Sequence, residues 1–204
     1  GNTKTEVYDA TEKTVEDFEV VSITQNGAAY ELYKAEYVSL KEGVKAKAAG
    51  TNAGTYPMGL TAESFENTSK NITNVKFVVE DGKLEITKRN VTLTSASDSK
   101  VYDGTALTND TVTVTGDGFV KDEGATYNVT GSQTLVGESD NEFTYTLNEN
   151  TKAGNYTIEQ KYGTLKVTAE ETEVIVTIKG NTKTEVYDAT EKTVEDFEVV
   201  SITQ

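Results

Sequence analysis

The 204-residue chain contains no cysteine, no histidine and no tryptophan. Without cysteine there is no disulfide framework and no thiolate metal site. Without histidine as well, Ser-His-Asp and Cys-His nucleophiles are excluded, and so is zinc in its usual ligand sets. Cationic residues are scarce, with 19 Lys and Arg against 34 Asp and Glu, a net charge of −15. Binding to phosphates needs a basic footprint, so nucleic acid is disfavoured, and anionic membrane surfaces are disfavoured for the same reason. The plain reading of such charge is solubility and mutual repulsion. No stretch approaches the roughly 18 apolar residues of a transmembrane helix, so membrane insertion is not expected. The chain opens on Gly1 without an initiator methionine or a signal peptide, which predicts a piece of a longer protein.

What is present is a long repeat. Gly1–Gln25 reads GNTKTEVYDATEKTVEDFEVVSITQ, and Gly180–Gln204 reads the same without a substitution. The period of 179 residues, from Gly1 to Gly180, is far longer than the roughly 20–50 residues of a solenoid unit, and predicts an array of whole domains. The chain is expected to begin and end inside a repeat. A weaker repeat lies within the period. Val101-Tyr102-Asp103 matches Val7-Tyr8-Asp9 and Val186-Tyr187-Asp188, and Val91-Thr92-Leu93 precedes the first as Val176-Thr177-Ile178 precedes the last. Ala53-Gly54-Thr55-Tyr56 matches Ala153-Gly154-Asn155-Tyr156, and Gly82–Thr87 matches Gly163–Thr168. The expected division is a first unit over 1–88 lacking its first strand, a second over 89–169, and over 170–204 the start of the next copy of the first.

Alternation and turn residues predict mainly β structure. In the first unit Val15–Thr24 reads as strand, Gln25-Asn26-Gly27 as a turn, and Gly43–Ala49 as a strand with Val44, Ala46 and Ala48 on one face. Tyr30–Leu40 is ambiguous between strand and helix. Ala53–Pro57 suits an edge, because proline cannot donate to a ladder. Thr61–Asn71 is the best helix candidate, capped by Thr61. Val75–Val79 and Leu84–Thr87, split by Asp81-Gly82, read as a hairpin. In the second unit strands are expected at Val91–Ser95, Thr111–Thr115, Thr126–Gly131, Phe143–Leu147, Asn155–Glu159 and Thr164–Thr168. The fold expectation is two β-sandwich (Ig-like) or β-grasp-like modules in tandem, one short helix in the first, plus a partial third repeat. Glu173–Ile178 carries apolar groups on both faces and reads as a buried strand. Its pairing with the first unit of a neighbouring molecule, head to tail, is the expected partner interaction.

Few residues point to chemistry. Carboxylates are numerous, but in an array of identical copies without tryptophan they read as surface charge. Glu138-Ser139-Asp140-Asn141-Glu142 offers oxygen ligands for Ca²⁺ but lacks the D-x-D-x-D-G spacing, and reads as a solvated loop. Tyr8, Tyr102 and Tyr187 could stack a sugar, but their repeated place beside a strand favours core packing. The sequons Asn71-Ile72-Thr73 and Asn155-Tyr156-Thr157 follow from a threonine-rich composition. No catalytic, cofactor-binding or metal-binding residue is assigned, and no enzyme activity is expected.

The phrases VIVTIKGNTKTEVYDATE (Val174–Glu191), TNAGTYPMGL (Thr51–Leu60) and NVKFVVEDG (Asn74–Gly82) resemble tandem repeats in large surface proteins of Gram-positive, often gut-dwelling, Firmicutes. KVYDGTALT (Lys100–Thr108) and AGNYTI (Ala153–Ile158) resemble the companion repeat. The resemblance spans nearly the whole chain. It implies a secreted, cell-wall-anchored adhesin in which these repeats form a non-enzymatic stalk or spacer. The alternative is a module that binds host glycan or protein weakly, with avidity from the array. Tyr30–Leu40, with its three tyrosines, is where an exposed aromatic patch would be sought. Here Asp9-Ala10 and Asp188-Ala189 stand where the pattern prefers Asp-Gly, so a different turn is expected. Pilin and adhesin domains of similar organisms also lock strands with a Lys–Asn bond, for which Lys83 and Lys166 are candidates, although alternation places both on the solvent face.

Overall fold

The computed structural model describes residues 1–204. The molecule is mainly β, built from several small sheets of two or three strands, with three single 3₁₀ turns and no α-helix. Consequently no helix is long and apolar enough to cross a membrane. Residues 1–88 hold β1 (Thr3–Val7), β2 (Lys13–Glu16), β3 (Thr24–Gln25), β4 (Ala28–Ala29), β5 (Val38–Leu40), β6 (Lys47–Gly50), β7 (Gly54–Pro57), β8 (Phe65–Asn67) and β9 (Lys83–Thr87). Residues 89–169 hold β10 (Arg89–Ser95), β11 (Asp98–Val101), β12 (Val112–Gly116), β13 (Ala125–Val129), β14 (Gly137–Asp140), β15 (Phe143–Leu147), β16 (Tyr156–Lys161) and β17 (Thr164–Thr168). A hairpin-like pair, β18 (Ile175–Gly180) and β19 (Phe197–Thr203), ends the chain.

One pairing scheme occurs in both long segments. β1 runs parallel to β9 with Val7 opposite Thr87, and β11 runs parallel to β17 with Val101 opposite Thr168. The next amide repeats too, since Tyr8 N–H donates to Thr87 O and Tyr102 N–H to Thr168 O, at 2.9 and 2.8 Å. On the far side of the closing strand, β7 is antiparallel to β9 with Gly54 opposite Ile86, and β14 is antiparallel to β17 with Gly137 opposite Val167. Gly54 (φ +157°) thus corresponds to Gly137 (φ +145°), and not to Gly154 as the A-G-x-Y match suggests. The tetrapeptides are alike, but Gly154 lies in the 3₁₀ turn that leads into β16, a strand of another sheet.

The core follows from the alternation. Leu84 and Ile86 of β9, Val91 and Leu93 of β10, Phe143 of β15, and Tyr8, Val15, Ala48 and Tyr156 form one buried cluster that includes side chains from both segments. A smaller one joins Ala46, Leu60 and Phe65, with Phe18 and Phe77 packed on it. Of 25 buried residues none lies beyond Val167, so β18 and β19 have no core of their own.

Three expectations fail for physical reasons. Thr61–Asn71 forms only a 3₁₀ turn at Ala62–Ser64, where Thr61 and Ser64 make a capping box, and then the strand β8. The residues after it, Phe65, Asn67, Thr68, Ser69 and Asn71, are weak helix formers, and strand pairing with β5 overrides the cap signal. Asp81-Gly82 does not turn a hairpin. The Asp81 carboxylate instead accepts from Gly59 and Leu60 N–H at 2.9 and 2.8 Å, and Val75–Val79 is in no ladder. Glu173–Ile178 is not buried, because β18 has β19 as its one neighbour. The ambiguous Tyr30–Leu40 resolves into a 3₁₀ turn at Ala35–Tyr37 followed by β5.

Candidate functional site

Two arrangements stand out, and neither holds a group of three or more acidic residues that could bind a metal ion. The first joins the two long segments. In the Val7-Tyr8-Asp9 turn after β1, the Tyr8 hydroxyl donates to Glu123 Oε1 at 2.6 Å, and the Tyr156 hydroxyl, at the start of β16, donates to Glu123 Oε2 at 2.5 Å. The rings meet edge to face at 5.7 Å, and Phe119 packs on Tyr156 at 5.1 Å. Val120 N–H donates to the Tyr156 hydroxyl at 3.1 Å. Arg89 closes the far side, giving Nε to Gly118 O at 3.0 Å, Nη1 to Tyr8 O at 3.3 Å and Nη2 to Asp117 O. Asn155, buried, accepts from Ala53 N–H at 2.9 Å and donates to Asn52 Oδ1 at 3.1 Å. Burial, and then the bond to Glu123, pushes the Tyr156 hydroxyl up to about 12, and the same two causes raise Tyr8. Both phenols are therefore held neutral as donors to one carboxylate, and hydrogen bonds to a charged group are worth about 1.5–3 kcal/mol each.

The repeated tyrosines are thereby separated by role. Tyr8 is 4% exposed, Tyr102 39% and Tyr187 89%, because only Tyr8 has a following segment with Glu123 and Tyr156 to pack against. Core packing describes the first and neither of the others. Glu123 and Arg89 carry no local signal. Glu123 stands in Lys121-Asp122-Glu123-Gly124, which reads as any charged loop, and only the fold brings it to Tyr8.

The second arrangement is a pair of unpartnered edges. Phe18–Ile23 and Val75–Glu80 lie in no ladder, with Phe18, Val20 and Ile23, and Val75, Phe77 and Val79, half-buried. Phe18 and Phe77 flank Phe65 at ring distances of 4.9 and 5.9 Å. The N–H groups of Phe18 to Ser22 and of Val75 to Val79 donate no hydrogen bond within the chain. The Gly1 amino group donates to Glu80 O at 2.7 Å and Asn2 N–H to Asp17 O at 3.1 Å, so the chain start lies between the two edges. In the segment 89–169 the corresponding residues are strands: Val112–Gly116 form β12, Tyr156–Lys161 form β16, and β10 runs between them, bonded to both.

The remaining sequence candidates disperse. Glu138–Asp140 is strand, not loop, and Glu138 pairs with Lys166 at 2.8 Å, while Asn141 is buried with Nδ2 bonded to Ala96 O and Asn109 O. Lys83 and Lys166 lie on the solvent face beside Glu85 and Glu138, with no asparagine partner. Asn155 is buried and closed to a glycan. Tyr33 is buried with its ring on Tyr37, so Tyr30–Leu40 presents no aromatic patch. Ala10 and Ala189 take φ +65° and +63°, the conformation of Gly104 at the matching place, so the turn keeps its type despite the alanine. An open depression of about 410 Å³ is lined by Ala53–Thr55, Glu85–Lys88 and Thr157.

Comparison of the chain with protein-family models, with curated proteins and with solved structures finds no match.

Proposed function

We propose that the chain is a segment of an extracellular stalk, a non-enzymatic spacer in a wall-anchored surface adhesin of a Gram-positive bacterium. In this reading residues 1–88 and 89–169 are two diverged copies of one β module, Ig-like or β-grasp-like, and 170–204 begins the next. The observation that carries it is the Tyr8–Glu123–Tyr156 junction. A spacer must resist bending, and a half-buried carboxylate shared by two phenols, beside a core common to both segments, supports one segment held on the next. The Val-Tyr-Asp turn recurs near the start of each unit, at Tyr8, Tyr102 and Tyr187, so a like ring is available to each successive pair. The bacterial surface setting rests on the repeat phrases.

Small-angle X-ray scattering on chains of one, two and three 179-residue periods tests the reading. The maximum dimension is expected to rise by an equal step with each added period. A dimension that levels off would show chains folding back, and would end the spacer reading. Glycan-array binding that grows with repeat number would favour the binding module instead.

A further inference from the structure

The geometry points to a strand-exchange interface: the edges Phe18–Ile23 and Val75–Glu80, in which the N–H groups of Phe18–Ser22 and Val75–Val79 donate no hydrogen bond, receive β18 from a second copy of this chain. The inference stands on pairing registers and does not depend on the spacer reading.

The occupant is specified by the molecule itself. Phe18–Thr24 and β19 have one sequence, and β19 is bonded to β18 with Gly180 opposite Phe197, Ile178 opposite Val199 and Thr177 opposite Ser201. Whatever makes Phe197–Thr203 a strand also fits Phe18–Thr24, with Ile178 opposite Val20 and Thr177 opposite Ser22. The second edge fits as well. β10 stands to β12 as β18 stands to β19, since Ser95 faces Val112 and Leu93 faces Val114 as Gly180 faces Phe197 and Ile178 faces Val199. β10 also runs parallel to β16, with Val91 opposite Ile158 and Thr94 opposite Lys161. Carried to the first segment, Val176 meets Phe77 and Lys179 meets Glu80. Lys179 would then sit between Glu19 and Glu80, a complementary charge in an otherwise acidic chain.

The burial deficit shows the direction of the exchange. Val91 and Leu93 are 1% and 0% exposed, whereas Val176 and Ile178, at the same places in β18, are 47% and 58% exposed. When β18 leaves β19 for the second copy, it exchanges one antiparallel partner for an identical sequence, so that contribution cancels. The gain is a second, parallel ladder, hydrogen-bond partners for the idle N–H groups of Val75–Val79, and burial of Val176 and Ile178. The donor must turn aside after Lys179, because the acceptor's own Gly1 occupies the next place; Gly180, with open space where a Cβ would be, permits the turn. Because donor and acceptor surfaces differ, the contact is heterologous and propagates head to tail.

The chain has no cysteine, so register is tested with one introduced thiol per molecule. Mixed Ser22→Cys and Thr177→Cys chains are expected to form the mixed disulfide under mild oxidation as the main product. Sedimentation of the unaltered chain is expected to show association growing with concentration. The double variant Val176→Asp, Ile178→Asp, altered at two half-exposed places, is expected to sediment as a monomer, with the mixed disulfide lost when the same changes are made in the Thr177→Cys chain. A chain with residues 172–179 copied directly ahead of Gly1 is expected to remain monomeric, because the strand then arrives in cis. Hydrogen exchange of Phe18–Ile23 and Val75–Glu80 is expected to slow by roughly ten-fold or more in the oligomer and in that extended chain. A chain that stays monomeric at every concentration, or an oligomer in which both edges exchange as fast as in the monomer, overturns the inference; the second result would mean that the β18–β19 pairs meet tail to tail.

Discussion

Gly1–Gln25 and Gly180–Gln204 are the same peptide in two settings, and they form complementary halves of one structure. In the first, Thr3–Val7 and Lys13–Glu16 are strands, on β9 and β6, while Phe18–Ser22 lies in no ladder and Ile23 only accepts from Tyr30 N–H. In the second, the residues matching β1 and β2 are unpaired and Phe197–Thr203 is a strand on β18. Local features are the same in both. Thr11 N–H donates to Asp9 at 2.9 Å and Thr190 N–H to Asp188 at 3.0 Å, Lys13 and Lys192 bind the same two carboxylates at 2.5 Å, and Asp17 and Asp196 take φ +71° and +70°. The lysine, then the threonine, pulls Asp9 down to about 2 and lowers Asp188 likewise. Turn chemistry is therefore a property of the peptide, whereas strand formation is a property of what lies beside it.

The largest test removes the neighbour. Leu84 is fully buried in β9, the strand that holds β1. Leu84→Ala is expected to cost about 2–5 kcal/mol by thermal or denaturant unfolding. Amide protection at Thr3–Val7 is expected to fall with it, while that of Phe197–Thr203 stays as it was. Equal loss in both would mean that the two copies share one cooperative unit, and the contrast between them would collapse.

A smaller effect separates the tyrosines. Tyr8→Phe leaves Glu123 Oε1 without its donor and is expected to cost about 1–3 kcal/mol. Tyr187→Phe, at the same place in an exposed copy, is expected to change stability by less than about 0.5 kcal/mol. The alkaline limb sharpens the point. Tyr156 and Tyr8 are neutral in the folded state with raised values, so their contribution is complete below pH 10 and is lost at higher pH, that of Tyr156 as pH rises through about 12. Tyr156→Phe is expected to flatten that limb and Tyr187→Phe to leave it unchanged, as read by denaturant midpoints across the range.

This contrast also marks what a single sequence reveals. Phe143–Leu147 and Thr164–Thr168 match strands to the residue, and Asn26-Gly27 turns β3 into β4 with both residues at positive φ. Those features are decided within a few residues. Val75–Val79 alternates as well as any strand and Phe18–Ile23 is as apolar as one, yet both lie in no ladder, because the pattern states which side chains are apolar and not whether a neighbour exists. Glu123, Arg89 and Asn155 carry no local signal for the same reason in stronger form: each reaches a residue of the other segment, Tyr8, Tyr8 and Ala53 respectively, that only the assembled fold brings near.

The smallest effect tests the part that the two copies share. Ala10 and Ala189 hold a left-handed backbone that glycine adopts freely and that costs an alanine about 1–2 kcal/mol. Part of that strain is offset in Ala10→Gly by the extra freedom glycine gives the unfolded chain, so the net gain is expected to be about 0.5–1 kcal/mol, read as a higher unfolding midpoint. Ala189→Gly relieves the same strain in a turn with no buried residue around it, and the main unfolding transition should not move. If the two substitutions raised the midpoint equally, the terminal copy would be part of the cooperative fold, and its exposed strand would not be free to pair with another molecule.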